Sequence, residues 1–212
     1  MKIEAVIFDI GGVLELTPYL GVTATWEERL GLPAGHLDAH LEPTWLAGAV
    51  GEVTEEQADA EVAKLLGADA EAFMADVWTE YLGSPNTGLM AYLGALRPRF
   101  RTGLVSNSYV GAREREQAAY GYADLVDHIV YSHEAGVRKP DPRIYLLACD
   151  ALGADPAATV FLDDHEPYVE GARAAGLHAV RFTSNAQAVA ELDALLGLSR
   201  PSAPPDGPDG RP

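Results

Sequence analysis

Four short stretches, far apart in the chain, set polar reactive groups directly after apolar runs. They are Asp9 in AVIFDIGGVLE, Ser106 and Asn107 in GLVSNS, Lys139 in GVRKPDP, and Asp163 with Asp164 in VFLDDHE. Two carboxylates at neighbouring strand ends, Asp9 and Asp164, can hold Mg²⁺ together with backbone oxygen and water, because that ion takes hard oxygen ligands. Mg²⁺ offsets the charge of a phosphate. Asp9 can then act as a nucleophile and form an aspartyl-phosphate. Ser106 and backbone N–H groups can bind phosphoryl oxygens, and Lys139 supplies a compact positive charge for the phosphate and for Asp9. Each group alone also has a plainer reading. A strand-end Asp forms turns, Ser-Asn is ordinary turn chemistry, paired acids before a helix favour its dipole, and a lysine before proline is usually solvated. The functional reading rests on all four in this order, each after the right kind of element.

These groups need a scaffold that gathers them. Short apolar runs recur at Ala5–Phe8, Gly103–Val105, His128–Tyr131, Val160–Leu162 and Ala179–Phe182, each of a length that suits a buried strand. Helical patterns lie between the later runs. Asn86 can cap a helix carrying Leu89, Leu93 and Leu96. Pro142 stands near the start of one with Ile144, Leu147 and Leu152, stopped by Gly153. Ser184 can cap a last one with Val189, Leu192 and Leu196. Strands alternating with helices predict an α/β fold, a parallel sheet covered on both faces. Open sheets of that kind bind ligands beyond the carboxyl ends of their strands, where all the candidate residues fall.

Residues 15–87 break the alternation. They show no strand pattern and much helix: Thr54 and Gln57 form a capping box before Ala58, Val62 and Leu65, and Phe73, Val77 and Tyr81 mark another amphipathic face. The expected organisation is a core of residues 1–14 and 88–198, a helical cap at 15–87, and a disordered tail at 199–212, SRPSAPPDGPDGRP.

With 32 acids against 15 bases, the net charge is −17 over 212 residues. Such a surface repels nucleic acid and anionic membranes, and any anionic substrate then needs local positive charge or a metal. Cys149 is the single cysteine and sits in an apolar helical pattern, which reads as a buried core residue rather than a nucleophile. With MKIEAVIFD running straight into a strand pattern and no apolar stretch near membrane-spanning length, a cytoplasmic protein is expected.

The motifs FDIGGVL, GLVSNS, GVRKPDPRIY and VFLDDHEPYVEGARAAGLHAV resemble, in order, the four motifs of the haloacid dehalogenase superfamily, mostly Mg²⁺-dependent phosphatases. The resemblance runs from residue 3 to residue 183, with the insertion where that family places a helical cap. It implies Asp9 as nucleophile, Ser106 as phosphate ligand, Lys139 as charge balancer, Asp164 as metal-binding acid and Asp163 as a supporting acid. Asn107, beside Ser106, is a further substrate-binding candidate. The phosphatases usually carry a second Asp two residues after the nucleophile, as general acid and base. Here that position is Gly11, which keeps the family's backbone-carbonyl metal contact and lacks the proton-transfer side chain. Cap-type dehalogenases also carry a different residue there, and a sugar-phosphate phosphatase subgroup with a DxGN-like first motif also lacks the acid. Tyr168 stands where the family usually has Asn. His165 and Glu15 are candidate substitute acids, against plainer readings as a helix-start residue and a solvated hinge residue. Trp26, Trp45 and Trp78 line the substrate pocket or pack the cap, and Arg138 is a surface residue or a neighbour of Lys139 in the site.

The expected activity is Mg²⁺-dependent hydrolysis of a small phosphorylated metabolite, a sugar phosphate among the candidates. Dehalogenation at carbon by Asp9, or phosphometabolite binding without turnover, are the rival expectations. The substrate and the oligomeric state are not legible.

Overall fold

The computed structural model describes residues 2–198, so the expected tail at 199–212 lies outside the described residues. The chain begins with β1 (Ala5–Phe8) and β2 (Glu15–Leu16). Four helices follow: α1 (Val22–Leu30), α2 (His36–Ala49), α3 (Glu55–Leu66) and α4 (Ala70–Leu82). Then come β3 (Ser84–Pro85), α5 (Thr87–Leu96) and β4 (Arg101–Ser106). Short helices α6 (Ala112–Tyr120) and α7 (Tyr122–Leu125) lead to β5 (His128–Tyr131), α8 (Ser132–Ala135) and α9 (Pro142–Leu152). β6 (Thr159–Asp163), α10 (Glu166–Ala174), β7 (His178–Arg181) and α11 (Asn185–Leu196) complete the fold.

Five strands pair in parallel in the order β5-β4-β1-β6-β7. β1 is central and wholly buried, which is why it reads as an unbroken apolar run. Its side chains alternate between two cores. Val6 and Phe8 join Leu93, Leu162 and Leu192 on one side, while Ala5 and Ile7 join Val105, Tyr145 and Phe161 on the other. Because the strands are parallel and in register, Phe8 lies beside Leu104 and Leu162, and the residues just beyond all three emerge at one edge. Asp9, Ser106 and Asp163 are therefore brought together by topology alone.

Helices α1–α4 bury their own cluster, including Trp26, Leu37, Leu41, Val62 and Phe73, which Ala112 of α6 joins from the core side. Helix starts follow the sequence signals: Thr54 and Gln57 form the capping box, and Asn86 and Ser184 accept from Leu89 N–H and Gln187 N–H.

Several details differ from the sequence reading. The segment without strand pattern contains β2 and β3, which pair antiparallel where the chain leaves and re-enters the core; at two residues each they are too short to show alternation. In α9 the buried face is Ile144, Tyr145, Ala148, Cys149 and Leu152, while Leu147 is 43% exposed. The stripe is centred between Ile144 and Tyr145, which swings Leu147 off it. The same offset makes Leu66 and Trp78, rather than Leu65 and Val77, the buried members of α3 and α4.

Candidate active site

The edge of the sheet holds a compact charged group. Lys139 is 1% exposed, and its Nζ lies 2.6 Å from Asp9 Oδ1 and 2.7 Å from Asp163 Oδ2. Asp9 Oδ1 also accepts from Ile10 N–H at 2.7 Å, and Asp163 Oδ1 from His165 N–H at 2.8 Å. Asp164, exposed at the edge, completes a trio with Asp9 and Asp163 whose ligand oxygens all lie within 4.8 Å of one another. One ammonium thus faces three carboxyl groups. Burial pushes the Asp9 carboxyl up, Asp163 adds to the rise, and Lys139 opposes it. Burial disfavours the Lys139 ammonium, yet Asp9 and Asp163 together hold its pKa above the ordinary lysine value, so it stays charged. Asp164 is also pushed up, by burial and then by Asp163.

The two glycines of FDIGGVL differ. Gly12 has φ +78°, and a Cβ there would stand 2.4 Å from Asp164 Oδ2. Its bare backbone makes room for the Asp164 carboxylate, and any other residue would close that space. Gly11 has open space around the position of a Cβ. The three-carboxyl oxygen donor set and the room kept by Gly12 fit a hard divalent cation such as Mg²⁺.

Asn107 lies at the same edge, but its amide is turned to the backbone of Lys139. Oδ1 accepts from Lys139 N–H at 2.8 Å and Nδ2 donates to Lys139 C=O at 3.1 Å. The expected substrate contact is thus, in this geometry, a clasp that holds the lysine loop. Tyr168 has its ring centre 5.0 Å from Lys139 Nζ, within cation–π distance, and Tyr145 donates to its backbone carbonyl. His165 packs edge-on to Tyr168 at 4.5 Å between ring centres. Arg138 is exposed.

A cleft of about 410 Å³ opens onto Ser106, Asn107 and Gly11 between the sheet edge and α4. Thr17, Tyr19, Val77 and Tyr81 line it further out. A larger hollow of about 700 Å³, between α3, α4 and Arg115, lies away from the carboxylates. Trp78 borders that larger hollow, and no tryptophan is among the cleft residues. Trp26 and Trp78 are buried in the helical cluster and Trp45 packs against it, so their place is packing. Tyr109, just after Asn107, inserts between Trp45 and Trp78 at 5.2 and 6.1 Å and ties the β4 loop to these helices.

Glu15 is not the solvated hinge residue considered above. It is 1% exposed and lines the cleft, and one of its carboxyl oxygens is buried without a hydrogen-bond partner. Burial, helped by the nearby Glu116 carboxyl, pushes it up to about 9. Glu116 itself accepts from Tyr131 OH at 2.6 Å and Tyr81 OH at 3.0 Å. Burial raises it to about 7 against the pull of both hydroxyls. Tyr120 OH donates to the carbonyls of Leu82 and Gly83 at 2.9 and 3.2 Å, beside β3. None of this network was readable in sequence, because its members come from four separate elements.

A family model for haloacid dehalogenase-like hydrolases matches residues 3–176. The chain belongs to this family. A protein named as a phosphatase in Mycobacterium tuberculosis is 32% identical over 191 residues, covering 84% of this chain and 87% of that one. Bifunctional epoxide hydrolase 2 of Rattus norvegicus is 28% identical over 225 residues; the match covers 96% of this chain and 41% of that protein. The chain thus spans about two-fifths of the length of that relative. A crystal structure of a haloacid dehalogenase family enzyme from Bacteroides thetaiotaomicron, an Asp-to-Ala mutant with magnesium and inorganic phosphate, superposes with a TM-score of 0.73. It is 20% identical and covers 85% of this chain and 94% of that one, a likeness of fold. In this haloacid dehalogenase-like hydrolase, then, the family fold brings four carboxyl- or amine-bearing residues from three separate motifs to one small edge of the sheet, with Asp9, Lys139 and Asp163 buried and Asp164 exposed.

Proposed function

We propose that the chain is a Mg²⁺-dependent phosphatase of small phosphomonoesters that works through an aspartyl-phosphate on Asp9. The observation that carries this is Lys139, buried and pinned between Asp9 and Asp163 with Asp164 alongside. A buried nucleophile carboxylate has to be aimed and the effect of its burial opposed, and the lysine does both.

Asp9, Asp164 and the Gly11 carbonyl would hold Mg²⁺. When bound, the ion offsets the negative charge of the phosphate at this acidic edge. Asp9 attacks phosphorus, and the bond from phosphorus to the leaving oxygen breaks. Ser106 and backbone N–H groups of the loop bind the phosphoryl oxygens. Lys139 balances Asp9 and the transferred group, Asn107 keeps the lysine backbone in place, and Asp163 keeps its ammonium aimed. Water then attacks phosphorus, frees inorganic phosphate and restores Asp9. Residues 15–87 act as a cap that limits water and shapes the cleft. The M. tuberculosis relative named as a phosphatase supports this reaction class. The three acids favour it over dehalogenation at carbon, which has no need of a cation site.

Gly11 leaves the usual proton-transfer position empty, so leaving groups that depart with little protonation are favoured: sugar 1-phosphates, acyl phosphates and aryl phosphates. Among the described residues no helix is long and apolar enough to cross a membrane. We place the protein in the cytoplasm, a compartment that suits its single, buried thiol. A panel of phosphorylated metabolites, assayed for released phosphate with Mg²⁺ and again with excess EDTA, tests the reading. Metal-dependent release is expected; full activity in EDTA, or halide release from haloacids without phosphate release, contradicts it.

A further inference from the structure

The cleft over the sheet edge carries a charge pattern that bears on the organic part of the substrate. Its outer lining consists of Thr17, Pro18 and Tyr19 after β2, and Val77, Glu80 and Tyr81 of α4; Glu15 sits deeper. None of these is Lys or Arg, and two are acids. The ammonium at the sheet edge, that of Lys139, is already engaged by Asp9 and Asp163. Glu80 is fixed in place, because one of its oxygens accepts from Leu20 N–H at 2.8 Å and Val22 N–H at 3.3 Å. Tyr19 is 83% exposed at the mouth and offers an aromatic face with no packing duty.

Resting on the phosphatase reading, we propose that this site selects phosphomonoesters whose organic part is uncharged or cationic, and rejects those that carry a second anion. The phosphoryl group is met at the sheet edge. The rest of the molecule lies between Tyr19 and Tyr81, where a ring of carbons and hydroxyls, or an ammonium, is accommodated. A carboxylate or second phosphate there would meet Glu80 with no cation opposite among the lining residues, and the buried Glu15, which keeps its proton at neutral pH, offers no positive charge to offset it, so a second anion costs binding in a partly dry cleft. Bisphosphates and phosphorylated carboxylic acids are thereby excluded.

The test uses three phenyl phosphates with hydroxymethyl, aminomethyl or carboxylate at the para position. Their phenol leaving groups are of similar acidity, so the comparison does not depend on proton transfer. With Mg²⁺, kcat/KM for the carboxylate is expected to fall below that of the other two by roughly 10-fold or more. Glu80→Gln keeps an oxygen acceptor for the two N–H groups and should narrow the gap. Val77→Lys adds a cation at the lining and should favour the carboxylate. Equal rates for all three substrates in the unaltered protein, or a gap that neither variant changes, overturns the inference and leaves the phosphatase reading standing. No phosphate release from any of the three overturns both.

Discussion

Gly11→Asp is the most informative change. The position accepts a side chain, because a Cβ meets no atom within 4 Å and the φ is not in the left-handed region. Filling a compatible glycine costs little in the fold and removes freedom from the unfolded chain, an effect of about 0.4–1 kcal/mol in favour of folding. A positioned general acid contributes about 10²–10⁴-fold to a proton-transfer step, or roughly 3–5 kcal/mol at about 1.4 kcal/mol per tenfold. Most of that is available only when the leaving oxygen needs a proton. The new carboxyl also joins three others, and this crowding argues for the lower end of the range. The expected outcome is a rise of about 10²-fold in turnover of primary alkyl phosphates, with aryl phosphates changing by no more than about threefold. The assay is the initial rate of phosphate release across leaving groups of graded acidity, for both proteins. Gly12→Ala serves as the contrast: its φ of +78° and the Asp164 oxygen 2.4 Å away mean that a methyl group there should damage the site for every substrate. Equal gains for alkyl and aryl substrates, or an unaltered protein whose rate ignores leaving-group acidity, would refute the reasoning. So would a steep loss confined to alkyl phosphates in Glu15→Gln or His165→Ala, since another residue would then be supplying the proton.

Further outcomes follow from the same geometry at three residues, Lys139, Asp164 and Glu116. Lys139→Ala leaves Asp9 and Asp163 buried without their cation and should cost roughly 3–5 kcal/mol in urea unfolding along with all turnover. Lys139→Arg should restore little activity, because a guanidinium fork does not fit a point contact to two carboxylates in a space that is 1% exposed. Asp164→Ala should abolish Mg²⁺ binding measured by calorimetry, with stability almost unchanged since the side chain is at the surface. Glu116, raised from 4.5 to about 7, holds its proton in the fold over a range where the unfolded chain has lost it. Stability should therefore fall as pH rises through that window, by about 3 kcal/mol for this group alone. Glu116→Gln should flatten that part of the pH dependence, as read from unfolding midpoints at pH 5 and pH 8.

The sheet was legible because β1, β4 and β6 are buried on both faces and so read as apolar runs, and because a polar residue follows each at the carboxyl end. The gathering of Asp9, Ser106 and Asp163 at one edge follows from parallel pairing in register, and Lys139 reaches them from the loop before α9. Other features depend on contacts between distant segments. FDIGGVL does not tell which glycine needs positive φ; the close approach of Asp164 assigns it to Gly12. Nothing around Glu15 marks it as buried, because Tyr81, Glu116 and Tyr131 close over that region only in three dimensions. Asn107 looks like a ligand beside Ser106, and its clasp on Lys139 joins two loops 32 residues apart. In α9, spacing alone marks Leu147 for the core, and the packing partner chooses the face one residue over.

The central claim is that Asp9 carries the phosphoryl group during turnover. An acid-quenched single turnover, with enzyme in excess over an aryl phosphate and Mg²⁺ present, should leave one phosphoryl group on the peptide containing Asp9, detected by mass, and none in Asp9→Asn. Turnover at full rate with that peptide unmodified at every quench time, or phosphate release retained by Asp9→Asn, would contradict it.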